Sequence, residues 1–299
     1  MTTVAVVGTG RMGSAMARAL VRGGAEVVLY NRTPARCAEL AEEIGARVAG
    51  SAADAAADAD VAITMLADGE AVRQTWAGVE GLVAGAHEGG VLVDMSTVSP
   101  DTLAGFEAGV RERGSGIVDA PVSGSTKLAE AGELTIMAGG TADDLERARP
   151  ALDLVAKQVT HIGPLGSGAA LKLAVNALIF ALNNSVSEAL VLAEAAGIDR
   201  AVAYDVFASS AAGAPYVGYK REAFVSPDAI PVAFSMDLAA KDMRLILELA
   251  DRLGVPMDQT RVNQQMIRET ADRLGHARDA SAVAVHLRTR AEEGSRARV

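Results

Sequence analysis

Val4-Ala5-Val6-Val7-Gly8-Thr9-Gly10-Arg11-Met12-Gly13 decides the fold. An apolar run ends at a glycine, two more glycines complete the spacing G-x-G-x-x-G, and a helical pattern over 12–21 follows until Gly23-Gly24 stops it. Alone, G-x-G-x-x-G says little. Between an apolar strand and a helix it is the fingerprint of a dinucleotide-binding loop. Gly8 allows the tight turn, Gly10 lets the backbone approach a pyrophosphate, and Gly13 lets the helix pack on the strand. Thr9, Arg11 and Met12 complete the cradle, because free N–H groups and the dipole at a helix start favour an anion.

Outward from this loop, strand and helix signals alternate for about 160 residues. Strands are expected at 26–30, weakly at 48–49, then at 60–66, 90–95, 117–119 and 134–138, and Pro34 starts a second helix. Strands separated by helices imply a parallel sheet covered on both faces. After about Gly166 the pattern changes. Residues 169–196 read as one helix of ~28 residues, ~40 Å long, and further helices are expected near 199–211, 236–253 and 257–274. The expected class is α/β: a Rossmann dinucleotide-binding domain over 1–165, then an all-α domain over 166–299 for substrate binding and oligomerisation, joined by the long interdomain helix. The charged tail 288–299 is expected to be mobile.

The end of the second strand selects the dinucleotide. An NAD site normally carries Asp or Glu there for the ribose hydroxyls, whereas this chain has Asn31-Arg32-Thr33-Pro34. Arg32 is suited to a bidentate pair with a 2′-phosphate, with Asn31 and Thr33 as further donors. NADP(H) is therefore expected over NAD(H). Met65 and Leu66, ending the 60–66 strand, are expected beside the same cofactor.

Composition excludes several classes. A net charge of −10 argues against a general nucleic-acid binder. A single cysteine, Cys37, excludes an intrachain disulfide and a cysteine-rich metal site; it reads as a small packed thiol. His87, His161, His276 and His286 are too scattered to suggest metal ligands, and each reads as a surface or capping residue. The first residues run straight into a strand, unlike a signal peptide. A membrane helix needs ~20 mostly apolar residues, and the longest uncharged stretch, 173–187, contains Asn176, Asn183, Asn184 and Ser185. A cytoplasmic protein without membrane partners is expected. So aliphatic a helical half should expose apolar surface, which suggests a homodimer or homotetramer.

Two segments carry candidate chemistry. Pro121-Val-Ser123-Gly124-Ser125 follows a strand, so it should lie at the carboxyl edge of the sheet, where open α/β sheets bind ligands. Its N–H groups and the Ser123 hydroxyl are candidates for holding a carboxylate. Lys172 stands in an unusually apolar helix, and lysine is rarely buried without a partner. Asn176 lies four residues on, hence on the same face, and Asn183 and Ser187 extend the polar stripe.

Five motifs then occur in one order: the glycine loop, Asp94-Met-Ser-Thr-Val-Ser-Pro100, Asp119-Ala-Pro-Val-Ser-Gly124, Gly166-Ser-Gly-Ala-Ala-Leu-Lys172 with Asn176, and Lys241-Asp242. With these the chain resembles the β-hydroxyacid dehydrogenase family over about residues 3–285. The resemblance implies a dehydrogenase or reductase acting on a small carboxylated aldehyde or hydroxy acid. It implies Lys172 as general acid and base, Asn176 as its companion, and Ser123-Gly124 with Ser125 as the loop for the substrate carboxylate. It further implies Thr97 near the nicotinamide, Lys241 as an interdomain cofactor contact, and Asp242 and Phe234 at the substrate. Ser125 and the segment through Leu134 look like the glyoxylate/succinic semialdehyde reductase branch, while 209–219 departs from it. An imine reductase is the competing enzyme reading, disfavoured by Lys172. A catalytically silent dinucleotide-binding module is the competing reading of another class.

Overall fold

β1 (Thr3–Val7) alternates between two cores. Val4 and Val6 face one buried cluster, and Ala5 and Val7 face the other. The same period of two runs through β2 (Glu26–Tyr30), β4 (Val61–Thr64) and β5 (Val91–Asp94) once β3 (Arg47–Val48) and β6 (Gly116–Asp119) complete a parallel run in the order β3-β2-β1-β4-β5-β6. Helix Arg11–Arg22 lays Ala15, Met16, Ala19 and Leu20 on the first face. Ala52, Ala55, Ala56, Val72 and Trp76 cover the second. This is the order of a dinucleotide-binding sheet, whose ligands lie at the carboxyl ends of the strands.

The computed structural model describes residues 1–229 and 231–296. The chain divides into two compact units, Met1–Leu173 and Ala174–Val299. In the first, the sheet continues past β6 through β7 (Val122–Ser123), β8 (Leu134–Gly139) and β9 (Ala156–Gly163). Past β6 the parallel pattern breaks. β8 runs antiparallel to both β6 and β7, and β9 is parallel to β8. β7 is two residues long, and half of β9 is polar and exposed. Neither shows the apolar run or clean alternation by which a strand is read from sequence.

Helix Ser167–Ala195 matches the expected long helix. By length and composition it is apolar enough to cross a membrane. Within the second unit, however, its Asn183 donates to Ala280 O (3.0 Å) and accepts from Tyr216 OH (2.8 Å), and Asn184 donates to Asn263 O (3.3 Å). These are the satisfied polar groups of a core helix. Arg200–Ser209, Met236–Leu253 and Asp258–Leu274 fill the expected helical segments, with shorter helices at Pro215–Tyr219 and Arg221–Val225.

The tail departs from expectation. Val283–Arg296 is a helix rather than a mobile end, and 297–299 lie outside the described residues. Arg288 pairs with Glu194 at 2.6 Å, both side chains largely buried. Charge that reads as solvated in sequence is here an anchor.

His286 is buried (4% exposed), not the surface or capping residue expected from sequence, and neither ring nitrogen has a hydrogen-bond partner among the described residues. Burial lowers its pKa, and Arg290 and Arg273 add to this against the opposing pull of Glu269 and Glu293. Below its ordinary value of about 6.5, the unfolded chain takes up a proton that the buried ring refuses, so stability falls as pH drops. His286→Leu is expected to reduce the loss of thermal midpoint between about pH 7.5 and about pH 5.5. An identical loss in the variant contradicts this.

Candidate active site

The glycine loop has one reason per glycine. Gly8 has φ +106, and a Cβ there would meet Met65 O at 2.4 Å. A Cβ at Gly13 would stand 1.9 Å from Gly8 O. At Gly10 it would meet nothing within 4 Å. Turn geometry and packing therefore fix Gly8 and Gly13, whereas Gly10 opens onto free space, as close approach of a ligand requires. Gly10 is also the N-cap of helix Arg11–Arg22, which has no side-chain cap and no acid in its first turn. These N–H groups remain available to an anion. Thr9 is buried with its hydroxyl 3.7 Å from Cys37 Sγ, and burial pushes that thiol up. Arg11 and Met12 open the helix.

At the end of β2, Tyr30 O accepts from Gly8 N at 2.8 Å, which brings the loop and the strand end together. Asn31 Nδ2 donates to Thr33 O (3.1 Å). Arg32 and Thr33 are exposed, and helix Ala35–Ile44 has no acid in its first turn. No acid of that first turn opposes a phosphate here.

Met65 and Leu66 leave β4 beside the same loop: Met65 N donates to Val7 O (3.0 Å), and Leu66 Cδ2 would lie 2.9 Å from a Cβ on Gly8. A buried network that sequence reading missed fixes this exit. Trp76 Nε1 donates to Thr64 Oγ1 (3.2 Å), and Thr64 Oγ1 and Ser96 Oγ each donate to Asp94 Oδ1 (2.7 Å). Ser96 Oγ in turn accepts from Leu66 N (2.9 Å). Asp94 and Ser96 share one sequence motif, but nothing in sequence ties them to Thr64 or Trp76. Thr97 follows this network and is half-buried.

Ser123 ends β7 opposite Thr135, and Gly124 follows with φ +146. Ser125 is the N-cap of helix Thr126–Ala131, its hydroxyl accepting from Leu128 N (3.4 Å). Its side chain is thus engaged in local structure.

Lys172 is half-buried on helix Ser167–Ala195. One turn on, Asn176 Nδ2 donates to Asp242 Oδ2 (2.7 Å), and Lys241 Nζ lies 2.9 Å from Asp242 Oδ1. Two motifs that stand 65 residues apart in the sequence therefore meet in one chain of contacts, with Asn176 and Asp242 buried. Phe234 packs on Phe180 with ring centroids 6.0 Å apart. Sequence reading missed Phe180, although it stands at Lys172 plus eight and Asn176 plus four, on the stripe already marked by Asn183 and Ser187. Lys220 and Asp279, also missed, fix the Phe234 segment: Asp279 accepts from Lys220 Nζ (2.8 Å) and Phe234 N (3.0 Å). Among the described residues no three His, Cys, Asp or Glu side chains cluster as metal ligands.

Comparison with known proteins identifies the family. A family model for the NAD binding domain of 6-phosphogluconate dehydrogenase matches residues 3–163, and one for the NAD-binding domain of NADP-dependent 3-hydroxyisobutyrate dehydrogenase matches 166–287. A chloroplastic glyoxylate/succinic semialdehyde reductase 2 of Arabidopsis thaliana is 34% identical over 83% of this chain and 69% of its own. A 3-sulfolactaldehyde reductase of Escherichia coli is 34% identical over 86% of both. The crystal structure of a 3-hydroxyisobutyrate dehydrogenase from Salmonella typhimurium superposes with TM-score 0.86, at 28% identity, over 95% of this chain and 99% of that one. Glycine loop, sheet order and both family matches converge: this chain belongs to the β-hydroxyacid dehydrogenase family and is an NAD(P)-dependent oxidoreductase.

Proposed function

We propose that this chain is an NADPH-preferring reductase of a small carboxylated aldehyde, of the glyoxylate or succinic semialdehyde type, with Lys172 as general acid. The observation that carries this reading is a half-buried lysine on an apolar helix, in the same unit as the open glycine loop, with the buried Asn176–Asp242 pair one turn further on. The open space at Gly10, the uncapped start of helix Arg11–Arg22 and the acid-free strand end at Asn31-Arg32-Thr33 fit a dinucleotide carrying a 2′-phosphate. Residues 8–13, 31–33, Met65, Leu66 and Thr97 would hold it. Bound there, the nicotinamide supplies a hydride.

The remaining steps belong to the chain's own side chains. Ser123 Oγ and the N–H groups around Gly124 hold the substrate carboxylate. As the carbonyl oxygen gains negative charge, the Lys172 ammonium donates a proton to it, and solvent reprotonates the amine. In the reverse direction the neutral amine takes the hydroxyl proton. Asp242 takes up Asn176 Nδ2, which orients the amide, and its place on the Lys172 face is the reason for assigning it the orientation of that lysine. In the second unit Leu178, Leu192, Val206 and Val262 are exposed, and we assign this apolar surface to contact with a second copy of the chain in a homodimer or homotetramer, the state light scattering reads.

Incubation with NADPH and a panel of glyoxylate, succinic semialdehyde, methylmalonate semialdehyde and a cyclic imine tests the reading. Consumption of NADPH with a carboxylated aldehyde is expected. Consumption with the imine alone supports an imine reductase, and none across the panel a silent binding module.

A further inference from the structure

Helix Ser167–Ala195 has no acidic residue in its first turn, yet its opening N–H groups need acceptors. They find one outside the helix. Asp119, the last residue of β6, sets Oδ1 2.7 Å from Gly166 N and Oδ2 2.6 Å from Ala169 N. Gly166 precedes the helix and Ala169 is its third residue. These are the two N–H groups that a capping box satisfies with two side chains of the helix itself. Here one carboxylate, 47 and 50 residues earlier in the chain, accepts from both.

The surrounding backbone is shaped to this carboxylate. A Cβ on Gly139 would stand 2.3 Å from Asp119 Oδ1, and one on Gly168 would stand 2.9 Å from Oδ2. Gly166 turns with φ +92. The glycines at 139 and 168 thus leave room for Asp119, and Gly166 makes the turn that brings its N–H to the carboxylate. Asp119 is 3% exposed. Burial pushes its carboxyl up to about 6 despite the two N–H donors, and Asp94, beside it in strand register, adds to the rise. A buried acid in that position has a specific structural use.

Its two sides lead to the two halves of the proposed chemistry. Four residues after Asp119 comes Ser123. Three residues after Ala169, on the next helical turn, comes Lys172. We propose that Asp119 is a positioning residue: it fixes Lys172 relative to the 121–125 loop, so that proton donor and carboxylate cradle form one rigid piece. This rests on the assignment of Lys172 as proton donor. A misplacement of about 1 Å at a reacting group costs up to ~10²-fold in rate, so a loosened helix start is read directly in turnover.

Asp119→Asn tests it in the full chain. The amide keeps one acceptor and turns an N–H donor toward the other N–H, which frees one end of the clamp. Two readouts are compared with wild type. One is the acylation rate of Lys172 by an amine-reactive ester, followed by peptide mass spectrometry against exposed Lys157 as internal control. The other is kcat and KM for the aldehyde, with NADPH affinity measured alongside. The Lys172-to-Lys157 ratio is expected to change several-fold and kcat to fall at least ~10-fold, with NADPH affinity unchanged. A lower melting temperature with unchanged ratio and unchanged kcat overturns the proposal, because a merely structural cap behaves that way. If Asp119→Asn does not fold, Asp119→Ser carries the same comparison. Should the wild type reduce no aldehyde, the functional reading fails while the labelling ratio still decides the positioning role.

Discussion

Replacing Lys172 with Ala is expected to lower turnover in aldehyde reduction by ~10²-fold or more while NADPH still binds. A positioned general acid contributes about 10²–10⁴-fold, and the other ammonium near Asn176, that of Lys241, is paired with Asp242 at 2.9 Å. The loss should fall on kcat, because proton donation matters only as negative charge develops on the substrate oxygen. Alanine favours a helix, so the helix should persist. The glycine loop and the 31–33 corner lie outside the changed residue, so cofactor affinity should hold. Lys172→Arg should not restore the rate, since guanidinium keeps the charge but does not release its proton in the working range. Steady-state kinetics and fluorescence titration with NADPH separate the two effects. A variant with near wild-type kcat refutes the assignment.

Arg32→Glu is expected to reverse the cofactor preference. Wild type should favour NADPH over NADH by at least ~10-fold, the scale of a charge-assisted hydrogen bond. Arg32 is exposed, Asn31 is held against Thr33 O, and the following helix brings no acid to its first turn. Arg32 is thus the charge in this corner best placed to meet a 2′-phosphate. Glutamate removes that pairing, adds repulsion, and restores the acid that usually holds ribose hydroxyls. NADPH efficiency should fall by ~10²-fold or more while NADH efficiency holds or rises. Equal efficiency of the two cofactors in wild type contradicts the reading.

The parts most legible in the sequence are those whose physics is local. The glycine loop is a run of ten residues, and the structure fixes Gly8 by its turn and Gly13 by its packing and leaves Gly10 open. The long helix was legible because its apolar run is continuous. β7 and β9 were not, because one is two residues long and the other is polar on its exposed edge. The tail helix was hidden by its charge, since only the fold reveals that Arg288 reaches Glu194. In the candidate site, Lys172 and Asn176 stood out as polar residues in an apolar helix. Phe180 did not, because an aromatic there looks like ordinary core. Asp119 acts through a contact 47 residues away, and no local pattern announces such a contact.

The central claim is that this chain transfers hydride from NADPH to the carbonyl carbon of a small carboxylated aldehyde. Its most direct test is incubation with NADPH deuterated at C4 and with glyoxylate or succinic semialdehyde, followed by mass spectrometry of the product. The account predicts a hydroxy acid carrying deuterium on its carbinol carbon, formed by the wild type and barely by Lys172→Ala. A product without that label, or no hydroxy acid from either aldehyde while a cyclic imine is reduced, would contradict it.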